Sequence, residues 1–352
     1  MTRKIKYFEA LREAQYQCME ADKDVYIMGL GVPDPKGIFG TTTGMQEKFG
    51  ADRVMDIPLA ENTMTGVAIG SALKGMRPIL THQRVDFALL SMEQIINQAA
   101  KWHYMFHGLH KIPMVIRMII GRGWGQGPQH SQSLQSLFAH IPGLKVIMPT
   151  TAYDAKGLLI SAIEDDNPVI SLEYRWLYGI SDSVPEEMYR VPIGKARVLE
   201  EGKDITIVAT SYMTLESLRA REMLQERGVN AEVIDLRTLR PMDTETIINS
   251  VKKTGRLVVA DTGHKMFGVS AEVLAVVLEN TFERLLNKPS RVALPDYPAP
   301  TSPALCDDYY PRAGHIAAAA LEQLGKAVDD KLFALPTDRR LDQPDSKFEG
   351  PF

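Results

Sequence analysis

VMDIPLAENTMTGVAIGSALKGMRPILTH, the stretch from Val54 to His82, carries the alternation that decides the fold. Val54–Leu59 and Arg77–His82 are short apolar runs, too short for helices and suited to strands buried on both faces of a parallel sheet. Asn62–Lys74 between them has a helical pattern. Strand, helix and strand in succession predict a doubly wound α/β sheet. The alternation continues on both sides: Val25–Leu30, Pro113–Ile120, Lys145–Pro149 and Pro168–Glu173 read as further strands, with helices over Met92–Phe106 and Ala152–Glu164.

After Tyr174 the pattern lapses through Gly179, Asp182, Pro185 and Pro192, the composition of a linker. Buried strands resume at Asp204–Thr210, Ala231–Leu236, Arg256–Asp261 and Arg291–Pro295. Helices are expected over Thr214–Arg227, Val269–Leu286 and Ala313–Val328. The expected layout is a parallel-sheet domain over residues 1–180, a linker over 181–198, a smaller α/β domain over 199–328 and a polar extended tail over 329–352.

The chain has 352 residues, too long for one typical domain and comfortable for two. Its net charge of −4 argues against a large cationic surface for nucleic acid or anionic membrane. Cys18 and Cys306 make no metal-ligand spacing and read as free thiols of a reducing compartment. Lys4–Lys23 is charged and amphipathic rather than a signal peptide, and no apolar run approaches the ~18–20 residues that span a bilayer. The expectation is a cytoplasmic protein.

Ligands of doubly wound sheets bind outside the carboxyl ends of the strands. The run Pro58-Leu59-Ala60-Glu61-Asn62 places a carboxylate between a strand and a small-residue helix. Taken locally, Glu61 is explained by the preference of a helix N-terminus for negative charge. Thr81-His82-Gln83-Arg84-Val85-Asp86-Phe87 is an unusually polar run at the next strand end; it fits a pocket rim or a solvated turn. Gly121 to Ser133 has alternating glycines, but their spacing is not that of a dinucleotide loop, and it delivers His130 near a helix entry. These residues point to a small-molecule site built from Glu61, Phe87 and His130. They form neither a metal triad nor a nucleophile elbow.

Ordered motifs tie the segments together. They include Phe39-Gly40, Lys48-Phe49-Gly50, Pro58-Leu59-Ala60-Glu61, Gly75-Met76-Arg77-Pro78, Gln129-His130-Ser131-Gln132, Pro142-Gly143-Leu144-Lys145-Val146, Asp166-Asn167-Pro168 and Asp235-Leu236-Arg237-Thr238-Leu239-Arg240-Pro241. Together they resemble the β subunit of the thiamine-diphosphate-dependent decarboxylase component of 2-oxoacid dehydrogenase complexes, of the pyruvate, branched-chain and acetoin types. The resemblance runs from about Lys4 to Leu324. It implies an N-terminal pyrimidine-binding domain and a transketolase-type C-terminal domain. It also implies that Glu61 bonds a ring nitrogen of the cofactor's aminopyrimidine and stabilises the imino tautomer that takes the thiazolium proton. Phe87 matches the aromatic that stacks on the pyrimidine, and Gln83 lies in the same cofactor-binding run. His130 matches a histidine that orients substrate or moves protons. A potassium site is implied at Met114, Ala162, Ile163, Asp165 and Asn167.

Thiamine enzymes hold diphosphate through magnesium with a Gly-Asp-Gly motif, and the dipeptide Gly-Asp occurs nowhere here. The resemblance therefore implies an α-type partner carrying the diphosphate and magnesium, in a heterotetramer whose β chains also associate with each other. A lipoyl acyltransferase is the implied downstream partner. The chain departs from the family's pyruvate types at the third strand end, where an apolar and aromatic run is usual, and at Leu30, where an acidic residue is common. The polar rim makes His82 and Arg84 candidates for binding a polar or anionic substrate group. The favoured activity is decarboxylation of a 2-oxoacid with acyl transfer to lipoamide. The rival enzyme transfers a two-carbon unit to an acceptor such as a keto sugar. A non-catalytic paralogue that stabilises an α-like partner is the third reading, opposed by the intact Glu61, Phe87 and His130.

Overall fold

The computed structural model describes residues 2–122 and 125–334. They form two compact units: residues up to Ile120 with Leu137–Ile193, and Gly121–Ser136 with the chain from Gly194 onward. The segment carrying His130 thus belongs to the second unit, although the sequence places it within the first domain.

In the first unit the strands are β1 (Thr2–Lys6), β2 (Val25–Met28), β3 (Val54–Met55), β4 (Arg77–His82), β5 (Val115–Ile120), β6 (Lys145–Ile147), β7 (Val169–Tyr174) and β8 (Ser181–Pro185). Six of them lie side by side in the order β6-β7-β5-β4-β2-β3, every pair parallel. All six residues of β5 and all six of β7 are buried, which explains their mostly apolar character; the charged Arg117 and Glu173 are the exceptions. The chain runs from β2 outward to β3, then returns to lay β4 on the other side of β2. That reversal opens a crevice at the carboxyl ends of β2 and β4, where such sheets bind ligands.

The helix Tyr7–Ala21 buries Tyr7, Ala10, Leu11, Ala14, Gln15 and Cys18, spaced three and four apart, and packs this stripe on the helix Ala152–Glu164. Thr151 caps the latter by accepting the Asp154 N–H at 3.0 Å. The stretch 181–198, read from its prolines as a linker, begins as an ordered strand: β8 pairs antiparallel with β1. The reason lies in Lys156, whose ammonium is fully buried and needs acceptors. It donates to Glu13 Oε1 at 2.6 Å and to the carbonyls of Pro185, Glu186 and Glu187 at 2.7, 3.1 and 2.9 Å.

Met92–Phe106, expected as one helix, is broken into a π-helical turn at Gln94–Ala99 and a short helix at Trp102–Met105. Apolar periodicity does not reveal a shift to i→i+5 hydrogen bonding.

The second unit holds β9 (Arg197–Glu200), β10 (Ile205–Ala209), β11 (Ala231–Asp235), β12 (Thr238–Arg240), β13 (Leu257–His264) and β14 (Ser290–Leu294). Five of these form a sheet in the order β14-β13-β10-β11-β9, parallel except for β9. Ile205, Ile207, Val233 and Val258 from the sheet meet Ile316, Ala317 and Leu321 of the helix Ala313–Gln323 in its core. That helix ends short of the expected Val328, with Gly325 in the left-handed region at φ 64°. Asp330–Phe333 adds a turn of 3-10 helix against it. The rest of the expected tail, residues 335–352, lies outside the described residues.

Candidate functional site

The crevice at the ends of β2, β3 and β4 holds a cavity of about 50 Å³ lined by Leu30, Ile57, Pro58, Leu59, Glu61, Thr81, His82, Gln83 and Phe87. Its walls are set by short backbone contacts. A Cβ on Gly29 would lie 2.5 Å from the Thr81 carbonyl oxygen, so only glycine lets the chain leaving β2 press against β4. Asp56 Oδ1 accepts the N–H groups of Gly31 at 2.9 Å and Ile57 at 3.0 Å, tying the loops after β2 and β3 together. Gln83 Nε2 reaches the Leu30 carbonyl at 3.3 Å.

Glu61 opens the helix Glu61–Ala72 behind Ala60, which supplies no side-chain cap. The half-buried carboxylate therefore sits in the first turn, where the helix's unpaired N–H groups favour negative charge, and it also lines the cavity. Phe87, in the short helix Val85–Ala88, puts an aromatic ring in the same lining. Glu61, Gln83 and Phe87, three of the residues expected at the cofactor, thus share one cavity.

His82 and Arg84 part company. His82 lines the cavity at 5 % exposure, and its Nε2 has no hydrogen-bond partner among the described residues. Burial pulls its pKa down to about 4, so the imidazole is neutral near pH 7. Thr81 Oγ1, also buried, likewise lacks a partner among the described residues. Arg84 is equally buried but does not line the cavity. Burial lowers its pKa while Asp86 and Tyr178 support the charge. The neighbouring Arg175 is pulled down to about 10 by burial, opposed by Tyr178 and reinforced by Arg84. Its guanidinium lies 4.4 Å from the Phe39 ring centre and 5.2 Å from that of Tyr178. Of the two rim candidates, His82 lines this cavity and Arg84 does not.

Of the residues expected to bind potassium, Met114 precedes β5, Ala162 and Ile163 lie in the last turn of the helix Ala152–Glu164, and Asp165 and Asn167 lie in the turn before β7. The Met114 carbonyl accepts Val169 N–H at 2.9 Å, and the Ala162 carbonyl accepts Asp165 N–H at 3.3 Å. Arg77 Nη1 donates to the carbonyls of Ile163 at 3.0 Å and Asp165 at 3.1 Å. Asn167 N–H and its side-chain amide both donate to Asp165 Oδ1, at 2.9 and 3.0 Å. Lys145 pairs with the other carboxylate oxygen. Two of the expected ligand oxygens thus already face a guanidinium, though each carbonyl keeps a second lone pair.

His130, half-buried, ends the short helix Gly127–His130 of the second unit. Next to it lies a larger cavity, about 300 Å³, lined by Ser131, Gln132, Ser133, His264, Asp296 and Tyr297 among others. His264 Nδ1 donates to the Pro295 carbonyl at 2.7 Å, which directs the ring's orientation. Sequence reasoning missed His264. The available signal was the polar run Asp261-Thr262-Gly263-His264 closing a buried strand. Asp261 fixes that end by accepting from Gln135 Nε2 at 2.9 Å, Gly263 N–H at 3.0 Å and Ser270 N–H at 3.1 Å.

Both cysteines are buried and free, and burial, reinforced by Glu164, pushes the Cys18 thiol up to about 12. No helix among the described residues is long and apolar enough to cross a membrane.

The transketolase pyrimidine-binding domain matches residues 3–180 and the transketolase C-terminal domain residues 194–316. The chain is 43% identical over 330 residues to the acetoin:2,6-dichlorophenolindophenol oxidoreductase subunit beta of Cupriavidus necator, covering 91% of this chain and 97% of that one. It is 44% identical over 292 residues to the pyruvate dehydrogenase E1 component subunit beta of Rickettsia bellii, covering 83% and 90%. Among solved structures, an inactive beta4 tetramer of a split-gene transketolase superposes with a TM-score of 0.74 at 25% identity, over 91% of this chain and 98% of that one. The chain belongs to the transketolase-like family, in the two-domain form shared by the β subunits of these dehydrogenases and oxidoreductases.

Proposed function

We propose that this chain is the cofactor-activating subunit of a two-subunit thiamine-diphosphate enzyme that cleaves a carbon–carbon bond beside a carbonyl, as in 2-oxoacid decarboxylation, and passes the acyl group to lipoamide. The observation that carries the reading is the pairing of Glu61 with Phe87 in one cavity at the sheet's switch point. A carboxylate and an aromatic face suit a protonatable heteroaromatic ring. The chemistry that thiamine diphosphate would supply at this site is a stabilised carbanion. Glu61 would hold a proton at the ring nitrogen of the aminopyrimidine, Phe87 would stack on that ring, and Gln83 would close its edge. His130 would orient substrate or move a proton.

A chain without a Gly-Asp pair would rely on an α-type subunit for the diphosphate and magnesium. The second lone pairs of the Met114, Ala162, Ile163 and Asp165 carbonyls would serve a monovalent cation such as potassium, with Asn167 nearby in sequence. Identity of 43–44% to the oxidoreductase and dehydrogenase β subunits, against 25% to the split transketolase, favours acyl transfer over two-carbon transfer to a sugar.

The test is co-expression with the α-type partner and assay of pyruvate and acetoin with a dye acceptor. Glu61→Gln should lower turnover by about 100-fold or more while the complex still assembles. Full turnover by that variant would remove Glu61 from the chemistry. Turnover by this chain alone would end the two-subunit reading.

A further inference from the structure

The second sheet has a switch point of its own. The chain leaves β10 for β11 on one side and later lays β13 on the other, which opens a crevice at the carboxyl ends of β10 and β13. A side chain of the protein itself lies there. Gln135, fully buried, donates from Nε2 to Asp261 Oδ1 at 2.9 Å and to Thr262 Oγ1 at 3.2 Å. Thr210, just past β10, has its Oγ1 3.5 Å from the same carboxylate oxygen. Asp261 is also fully buried, and the N–H groups of Gly263 and Ser270 hold its two oxygens in place. A Cβ on Gly263 would lie 2.7 Å from Gln135 Nε2, so the strand end is cut to admit the amide.

Gln135 stands five residues after His130, and both belong to the segment that the second unit takes from the middle of the first. Between them, residues 131–134 form neither helix nor strand. Such a stretch has no ladder of its own, so its anchors set its path. One anchor is the Gln132 carbonyl, which accepts Gly121 N–H at 2.9 Å; the other is Gln135. We propose that Gln135, seated on Asp261 and Thr262, is a positioning residue for His130, so that the second sheet's crevice holds a catalytic loop where comparable sheets hold a ligand. The proposal rests on the reading of His130 given above. An apolar side chain would fill the same space without burying an amide, but apolar packing is non-directional and lets a loop slip. A charge-assisted bond to a fixed carboxylate sets both distance and direction.

The experiment is a double-mutant cycle in the complex co-expressed with the α-type partner, assayed with pyruvate and acetoin and a dye acceptor. Gln135→Met keeps the length of the side chain and removes its donor. It should lower kcat/KM by about tenfold, the rate equivalent of one hydrogen bond. In the His130→Ala background the same substitution should change kcat/KM by less than about twofold, because the two residues act as one unit. Thr262→Val should show the same pattern at about threefold. A second readout does not depend on turnover. In complex labelled at its histidines, the ring signals that His130→Ala removes should shift or split in Gln135→Met. Equal losses in both backgrounds point to a merely structural role and overturn the proposal. Full activity of Gln135→Met, or unmoved His130 signals, overturns it as well. If His130→Ala itself keeps full turnover, the reading of His130 fails instead, and the ring signals alone decide whether Gln135 places the loop. Should Gln135→Met not fold, Thr262→Val carries both readouts.

Discussion

Two places in the first unit's sheet bury polar side chains, and they treat them in opposite ways. Across β5 and β7, Arg117 and Glu173 form a bidentate pair at 2.7 and 2.8 Å, each 1 % exposed. Arg117 also donates to Gln15 Oε1 at 3.0 Å, and Tyr178 donates to Glu173 Oε2 at 2.5 Å. Burial opposes the Arg117 charge, but Glu173 outweighs it and raises the pKa; burial and the same carboxylate push the Tyr178 phenol up. At the tip of β4, by contrast, Thr81 and His82 are buried with polar atoms unanswered. Completed bonding in one place and incomplete bonding in the other set the middle of the sheet apart from the tip of β4.

The contrast breaks most visibly if the complete network is opened. Glu173→Ala leaves the Arg117 guanidinium buried without its carboxylate and should cost about 3–5 kcal/mol, read by denaturant unfolding. The paired replacement Arg117→Met with Glu173→Leu should recover most of that loss. A cost under about 1 kcal/mol for the single variant would show that the pair contributes little.

His82 gives the intermediate effect, and its sign follows from the direction of its shift. The folded state holds the imidazole near 4, below its ordinary 6.5, so between these values the unfolded chain binds the proton and the folded chain does not. Stability therefore falls as pH drops through that window, by up to about 3 kcal/mol. His82→Phe should flatten this acid-side slope in pH-dependent melts. An unaltered slope would show that the ring is not buried neutral.

Glu61→Gln should matter least to the fold. Its charge sits in a helix's first turn, and removal should change stability by about 0.5 kcal/mol or less while turnover collapses. A large loss of stability would return Glu61 to the purely electrostatic role that its local sequence suggests.

Much of this architecture was legible in the chain. β4 spans Arg77–His82 and the helix Ala152–Glu164 keeps its expected ends, because both are dense, periodic and bounded by glycine or a capping threonine. β8, β9 and β12 were not legible. They are short, partly exposed or proline-flanked, and pairing partners rather than intrinsic preference make them strands. The polar run at the end of β4 was visible as a rim, but composition could not say which side chain faces the cavity. Only the backbone directs His82 inward and leaves Arg84 outside the lining. His264 was hidden for the complementary reason: the cavity it lines also needs residues 131–133 and 294–299, far away in sequence.

The pinch at Gly29 bears on how the site can diversify. Because the backbones leaving β2 and ending β4 meet there with no room for a methyl group, a relative cannot reshape this wall by moving the main chain apart without opening the sheet itself. New preferences must be written instead in the side chains at the β4 tip, Thr81, His82 and Gln83. Three adjacent codons then act as the adjustable face of an otherwise fixed socket.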